Sequence, residues 1–346
     1  MHSEKRSVVI IRLLFILLLS LPVFLSACAS GPGREKVDLV WPLPPDEPRI
    51  RYLDKITGSD DVGKQVGVAE SIFGEDTRIG LDKPYGVAVG PDGEIYVTDL
   101  GRILVFDMKK KDYYLLGVDP GMGRVGLPFG IAVSADNRVF VTDIALKRVF
   151  IYKDRKYLNA IGAQGEFDNP TGIALDEKDG LIYVVDSKKH LIDVYSLSTY
   201  QKIRTIGKRG EGDGEFNFPT NIAVDPQGNL YVVDTGNFRV QVLDKNGVFI
   251  RSIGKLGDNP GALARPKGIA LDSDGHVYVV DAAFQNFQIF DREGHLLLSV
   301  GSSGVEPGRF LLPAGMAIDR EDRIYVIDQI PASLQIFQYL KEKPKK

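Results

Sequence analysis

The apolar residues of this chain fall in short runs of four to six, bounded by Gly, Pro, Asn and Asp, and no long stretch has helical apolar spacing. The runs recur as one phrase: a Pro, a small-residue turn, an apolar strand, a hairpin, and a second apolar strand closed by Asp. The copies are PYGVAV…EIYVTD (Pro84 to Asp99), PFGIAV…RVFVTD (Pro128 to Asp143) and PTGIAL…LIYVVD (Pro170 to Asp186). They continue with PTNIAV…LYVVD (Pro219 to Asp234), PKGIAL…VYVVD (Pro266 to Asp281) and PAGMAI…IYVID (Pro313 to Asp328). Successive prolines are 44, 42, 49, 47 and 47 residues apart. A period of this length with several short strands per unit predicts an all-β, six-bladed β-propeller, one blade per repeat.

The fourth copy shows the anatomy of a blade. PTNIAVD, LYVVD, RVQVLD and VFIRSIG read as four strands, with Asp-Pro-Gln-Gly and Asp-Lys-Asn-Gly supplying hairpin turns. The second strand is apolar up to its Asp, which predicts cover on both faces by neighbouring blades. The first strand carries Ala at its centre in all six copies (Ala88, Ala132, Ala174, Ala223, Ala270, Ala317), a small side chain that fits the taper towards the axis. The sixth copy runs out of chain after its third strand. Arg49 to Thr57 matches the outer-strand phrase of blade four and is expected to close that blade, leaving no open seam. The propeller then occupies residues 49–340, after a Pro-rich linker at 28–48 and before a basic tail at 341–346.

Residues 1–27 read as a signal peptide. Lys5, Arg6 and Arg12 flank an apolar core, Leu13 to Leu25, too short to span a bilayer comfortably. The core ends in Leu25-Ser26-Ala27-Cys28, which resembles a bacterial lipobox. That resemblance implies cleavage before Cys28 and acylation of its thiol, each buried methylene adding about 0.8 kcal/mol of membrane affinity. Ala29 in the next position, in place of Asp, implies the outer membrane, with the chain facing the periplasm. Cys28 is the only cysteine, so its lipidation leaves no disulfide and no thiol nucleophile. Loss of residues 1–27 leaves 40 basic and 45 acidic side chains, a net −5, which is not a surface for general nucleic-acid binding.

The pattern P-x-G-[IV]-A-[VL]-D…G-x-[IL]-Y-V-x-D…N-x-R-V-Q-V-[FL]-D resembles NHL repeats. With the lipobox and the Trp-Pro-x-Pro-Pro segment, the chain is similar to bacterial NHL-repeat lipoproteins. Only blade four has the full Asn237-Phe238-Arg239; blade one reads Asp99-Leu100-Gly101-Arg102 and blade five Asn286-Phe287-Gln288. The expected function is a membrane-tethered envelope scaffold that binds a protein, peptide or envelope polymer, with no catalytic residue, no cofactor and no nucleic-acid partner. The alternative is a metal-dependent lyase or lactone hydrolase of the six-bladed kind, using Ca or Zn.

Candidate chemistry sits where the copies differ. The six acids Asp99, Asp143, Asp186, Asp234, Asp281 and Asp328 form a ring that is expected to fix loops by accepting backbone N–H groups, although a ring of Asp also offers oxygen ligands for calcium. His190, His276 and His295 fall on opposite faces and predict no shared zinc site. Gly121 to Gly126 matches GxGxxG but lacks a strand–turn–helix context. After the ring acids, blades one to four carry Arg102, Arg148, Lys188 with His190, and Arg239, while blade five carries Phe284 and Phe287 and blade six no charge. Residues after the repeat prolines circle the same mouth: Tyr85, Phe129, Thr171, Thr220 with Asn221, Lys267 and Ala314, Asn221 replacing the Gly of the other copies. The expected binding surface is therefore a basic arc beside an apolar sector, around a central mouth.

Overall fold

The computed structural model describes residues 37–63 and 79–341; the signal segment, Cys28, the start of the linker and the end of the tail lie outside the described residues. From Asp38 onward the chain forms six antiparallel sheets, five of four strands and one of five. Blade one is typical, with strands Val87–Val89, Ile95–Asp99, Arg102–Asp107 and Asp112–Leu116 laid side by side in chain order. Its second strand is buried at all five positions, and so are those of blades two, four and five. Those strands are apolar on both faces because both faces are covered.

The core is divided among the blade junctions. Ala88, Tyr96 and Val105 of blade one pack with Ile131, Val139 and Val141 of blade two, and five further clusters repeat the arrangement around the ring. Near the axis the blades approach closely. A Cβ on Gly86, Gly130, Gly268 or Gly315 would lie within 2.5 Å of a carbonyl oxygen of the next blade. Glycine is required there by contact, and Asn221 stands at the equivalent place in blade four.

The ring closes as the sequence predicts. Ile50–Ile56 pairs with Ser333–Tyr339, from Ile50 opposite Tyr339 to Ile56 opposite Leu334. Val40–Trp41 then pairs with Arg51 and Ile50 as a fifth strand. The Trp41 ring stands edge-on to Phe337 with centroids 5.8 Å apart, and it lies over Gly308, where a Cβ would come within 2.6 Å of it. The Pro-rich segment from Asp38 onward is thus part of blade six.

Candidate functional site

On one face of the ring, the prolines that open the first strands meet the acids that close the second strands. The six ring acids are at most 1% exposed. Each turns towards the loop arriving from the preceding blade. Asp99 accepts the amides of Asp82 and Lys83, Asp143 those of Gly126 and Leu127, and Asp186 those of Asp168 and Asn169. Asp281 accepts Ala264 and Arg265, and Asp328 accepts Leu311 and Leu312. Several also hold their own second-to-third-strand loop, as Asp143 does through Ala145 and Leu146. Burial raises the Asp328 carboxyl above the usual range against the pull of these amides. The carboxylates therefore point into loops and fix them, and among the described residues no group of three His, Cys, Asp or Glu is placed to hold a metal ion.

Blade four departs from the pattern. Asp234 accepts the amide of Asn217, while its other oxygen takes Asn237, Arg239 and Gln241. Arg239 lies 2.9 Å from Asp234 and donates also to Gly212 and Glu215 carbonyls. Arg102 makes the same bond in blade one, with Nε and Nη2 on Asp99 at 3.0 and 2.8 Å. The shortened loop of blade one therefore reproduces the arginine of the full motif. Both guanidinium groups serve the ring, which removes them from the expected basic arc.

Three other expected contacts are corrected. Phe287 is fully buried as the second residue of the third strand Asn286–Phe290, with its ring packed on Phe310 and Phe337 in the junction. Thr171 is 3% exposed, its hydroxyl directed at the Val185 carbonyl. His190 is 6% exposed, and its Nδ1 accepts the Phe218 amide at 3.0 Å. His276 and His295 bond to Asp272 and Asp291 in hairpins of the other face, so the three rings do not converge.

The remaining candidates stay open to solvent. Arg148 and Lys188 are exposed and have no ion-pair partner among the described residues. Phe284 is half-buried. Around them Leu100, Leu146, Phe218 and Ile330, all in loops of this face, are about half exposed. At the centre is a channel of about 270 Å³, walled by the first strands and including Tyr85, Phe129 and Asn221. Tyr85 and Phe129 stack with centroids 3.4 Å apart and planes 28° from parallel. Burial pushes the Tyr85 phenol above its ordinary range. Lys267, which follows the repeat proline of blade five, is half-buried, and burial together with Arg265 holds its ammonium below the ordinary lysine range.

A further loop device had a sequence signal seven residues beyond the ring acid. Gln241, Gln288 and Gln335 each clasp the preceding connection: Oε1 accepts the amides of Gly214, Gly261 and Gly308, and Nε2 donates to the carbonyls of Glu215, Ala262 and Arg309. These latches shape the rim of the face without entering it.

Residues 131–206 match the family described as a 6-bladed beta-propeller, and residues 216–243 and 263–290 match the NHL repeat. The chain is 52% identical over 48 residues to Protein lin-41 of Caenorhabditis elegans, covering 14% of this chain and 4% of that protein. It is 36% identical over 83 residues to NHL repeat-containing protein 3 of Homo sapiens, covering 23% of this chain and 24% of that one. The matched stretches thus span a quarter or less of these relatives. Virginiamycin B lyase from Staphylococcus aureus superposes with a TM-score of 0.54 at 12% identity, over 84% of this chain and 99% of the lyase, a likeness of fold alone. The chain carries NHL repeats on a six-bladed propeller.

Proposed function

We propose that this chain is a membrane-tethered binding scaffold of the bacterial envelope, which holds a protein, peptide or envelope polymer on the loop face and central mouth of its propeller. One observation carries the reading: Arg148 and Lys188 stand exposed and unpaired among half-exposed Leu146, Phe218 and Leu100, while the ring acids that could neutralise them are turned into the fold. Unpaired cations interspersed with apolar side chains supply charge-assisted hydrogen bonds and desolvated anchors to a partner. The partner surface is correspondingly acidic and partly apolar. Attachment through lipid on Cys28 would hold the propeller to the membrane by the short stretch of chain between Cys28 and Asp38.

The test is a double charge reversal, Arg148→Glu with Lys188→Glu, compared with the unaltered chain by in-cell crosslinking. Both side chains are exposed, so stability should stay within about 0.5 kcal/mol. Crosslinked species are expected to disappear from the variant. An unchanged set of crosslinks would sink the reading. Separately, Cys28→Ser is expected to move the protein from the membrane to the soluble fraction.

A further inference from the structure

Two neighbouring junctions of the ring are built on the same register and closed differently. Between blades three and four, Arg204 of the outer strand Lys202–Ile206 donates from Nη2 to the Lys245 carbonyl at 2.6 Å, and Lys245 pairs with Asp179 at 2.9 Å. Between blades four and five, Arg251 faces Val242 as Arg204 faces Val194. Arg292 follows Asp291 as Lys245 follows Asp244, and Gln227 precedes its hairpin glycine as Asp179 does. The acid of the ion pair is thus replaced by an amide, and its ammonium by a second guanidinium. An open cleft of about 610 Å³ lies there on the face opposite the ring acids, with Arg251, Arg292 and Tyr231 among its walls. Nε is buried without an acceptor in both Arg204 and Arg251, but only Arg204 is anchored at its other end. Nη2 of Arg251 reaches the Tyr231 hydroxyl at 3.5 Å, the outer limit of a hydrogen bond, and the guanidinium has no ion-pair partner among the described residues. Arg292 lies across Gly275, where a Cβ would come within 2.4 Å of its Nε, and gives Nε and Nη2 to the Asp274 carbonyl. Burial raises the Tyr231 phenol above its ordinary range and Asp225 adds to it, while Arg251 and Arg292 pull it down, so both cations are felt at that hydroxyl. The buried acids of the cleft do not answer them. Asp225 accepts the Gln227 and Asn229 amides and Asn229 Nδ2, and Asp272 accepts the Asp274 and His276 amides, His276 Nδ1 and the Tyr278 hydroxyl. Glu293 is exposed in the hairpin and makes no ion pair among the described residues.

We propose that the cleft between blades four and five binds a phosphate group, free or as the monoester of a small sugar, with Arg251 and Arg292 taking its oxygens beside the Tyr231 hydroxyl. A half-buried guanidinium without a counter-charge is unfavourable, and an oxyanion offsets that with charge-assisted, bidentate bonds. Two unbalanced cations match the charge of a phosphate monoester, roughly −1.5 to −2 at neutral pH, better than the single charge of a carboxylate. The planar fork of arginine suits phosphate oxygens in particular. The cleft is larger than the ion and falls within the range of ligand pockets, roughly 300–1,000 Å³. Gln227 lines it with a side-chain amide that has no partner among the described residues, and so can meet a sugar hydroxyl. The site is on the face opposite the loops used by the scaffold reading and does not depend on it.

The experiment titrates the full chain with inorganic phosphate, glucose 6-phosphate and glucuronate by calorimetry. Both phosphate compounds are expected to bind, and glucuronate at least about tenfold more weakly, the worth of one charge-assisted hydrogen bond. Tighter binding of glucose 6-phosphate than of phosphate identifies the sugar ester as the ligand, and equal binding identifies the free ion; either upholds the site. Arg251→Met, which removes an unpaired cation and keeps an apolar stem, should weaken phosphate binding by about tenfold or more. In the unaltered chain, phosphate should protect Arg251 from phenylglyoxal, as read by mass spectrometry, while exposed Arg320 in a hairpin of blade six reacts as before. That readout is independent of how the variant folds. No binding of either phosphate compound at millimolar concentration, equal or tighter binding of glucuronate, unchanged binding by Arg251→Met, or no protection of Arg251 would each overturn the proposal.

Discussion

Phe218 donates its backbone N–H to Nδ1 of His190 at 3.0 Å, a bond that joins the loop entering blade four to the side chain of blade three. In the other five blades the residue before the repeat proline gives that N–H to its own ring acid. The exchange frees one oxygen of Asp234 for Asn237, Arg239 and Gln241. It also holds Phe218 in a left-handed conformation, φ 47°, with its ring against His190 at 4.5 Å and about half exposed on the loop face.

His190→Ala should therefore cost about 1–3 kcal/mol, the penalty of leaving a buried N–H unmatched, and should loosen the loop that presents Phe218. Urea unfolding gives the first quantity and amide exchange at Phe218 the second. A stability change below about 0.5 kcal/mol would remove His190 from this role.

The glutamine latches predict a loss at one blade that a surface change does not cause. Gln288→Ala strands the Gly261 amide and the Ala262 carbonyl and should cost about 2 kcal/mol or more. Lys188→Ala on the same face should be near neutral. Parallel urea midpoints compare the two.

Trp41 seals the outer edge of the closing blade. Trp41→Ala removes its contact with Phe337 and uncovers Gly308, and should cost about 2–3 kcal/mol. The segment Asp38 to Pro48 should at the same time become open to proteolysis, which mass mapping of the fragments would show.

The pH dependence has a determined sign at His276. Its hydrogen bond with Asp272 is the largest effect, and with burial opposing, it raises the imidazole above its ordinary value of 6.5. A histidine whose folded pKa is raised contributes stability fully below the unfolded value and loses it as the pH rises through the folded one. Unfolding in urea at pH 5.5 and pH 8 should show a His276-dependent contribution at the lower pH, absent in His276→Gln. An equal effect of the substitution at both values would contradict the pairing.

Lys267 has the opposite relation to stability. Its ammonium is held below the ordinary range by burial and by Arg265, so the charged form is penalised on folding. Lys267→Met should unfold at the same or a higher temperature, and a clear fall in the melting temperature would mean that the ammonium has a structural partner.

Much of this architecture is legible in the chain because the propeller repeats its reasons. Proline, central alanine and closing aspartate recur at fixed offsets, and each has one local cause: a turn, a narrow axis, or a pair of amides to hold. Closure by Ile50–Ile56 is legible because the outer strand missing from the sixth copy has a match near the start. Individual side chains are less so. Phe287 reads as part of the loop after Asp281, but it is the second residue of the third strand and alternation turns its ring into the junction. His190, and Arg239 in its bonds to the Gly212 and Glu215 carbonyls, reveal nothing about those partners in sequence, since the bonded groups lie in connections 24 to 28 residues away. The latches were accessible in principle, through the Gln seven residues after three ring acids.

The most direct measurement for the account compares the faces of the propeller in intact cells, with a photo-crosslinking side chain at Leu146 or Lys188 on the loop face and at Lys156 or Leu158 on the outer strand of blade two. All four positions are exposed. The account predicts discrete crosslinked species from Leu146 and Lys188 and none from the outer strand. Crosslinks from the outer strand alone, or equally from both, would contradict it.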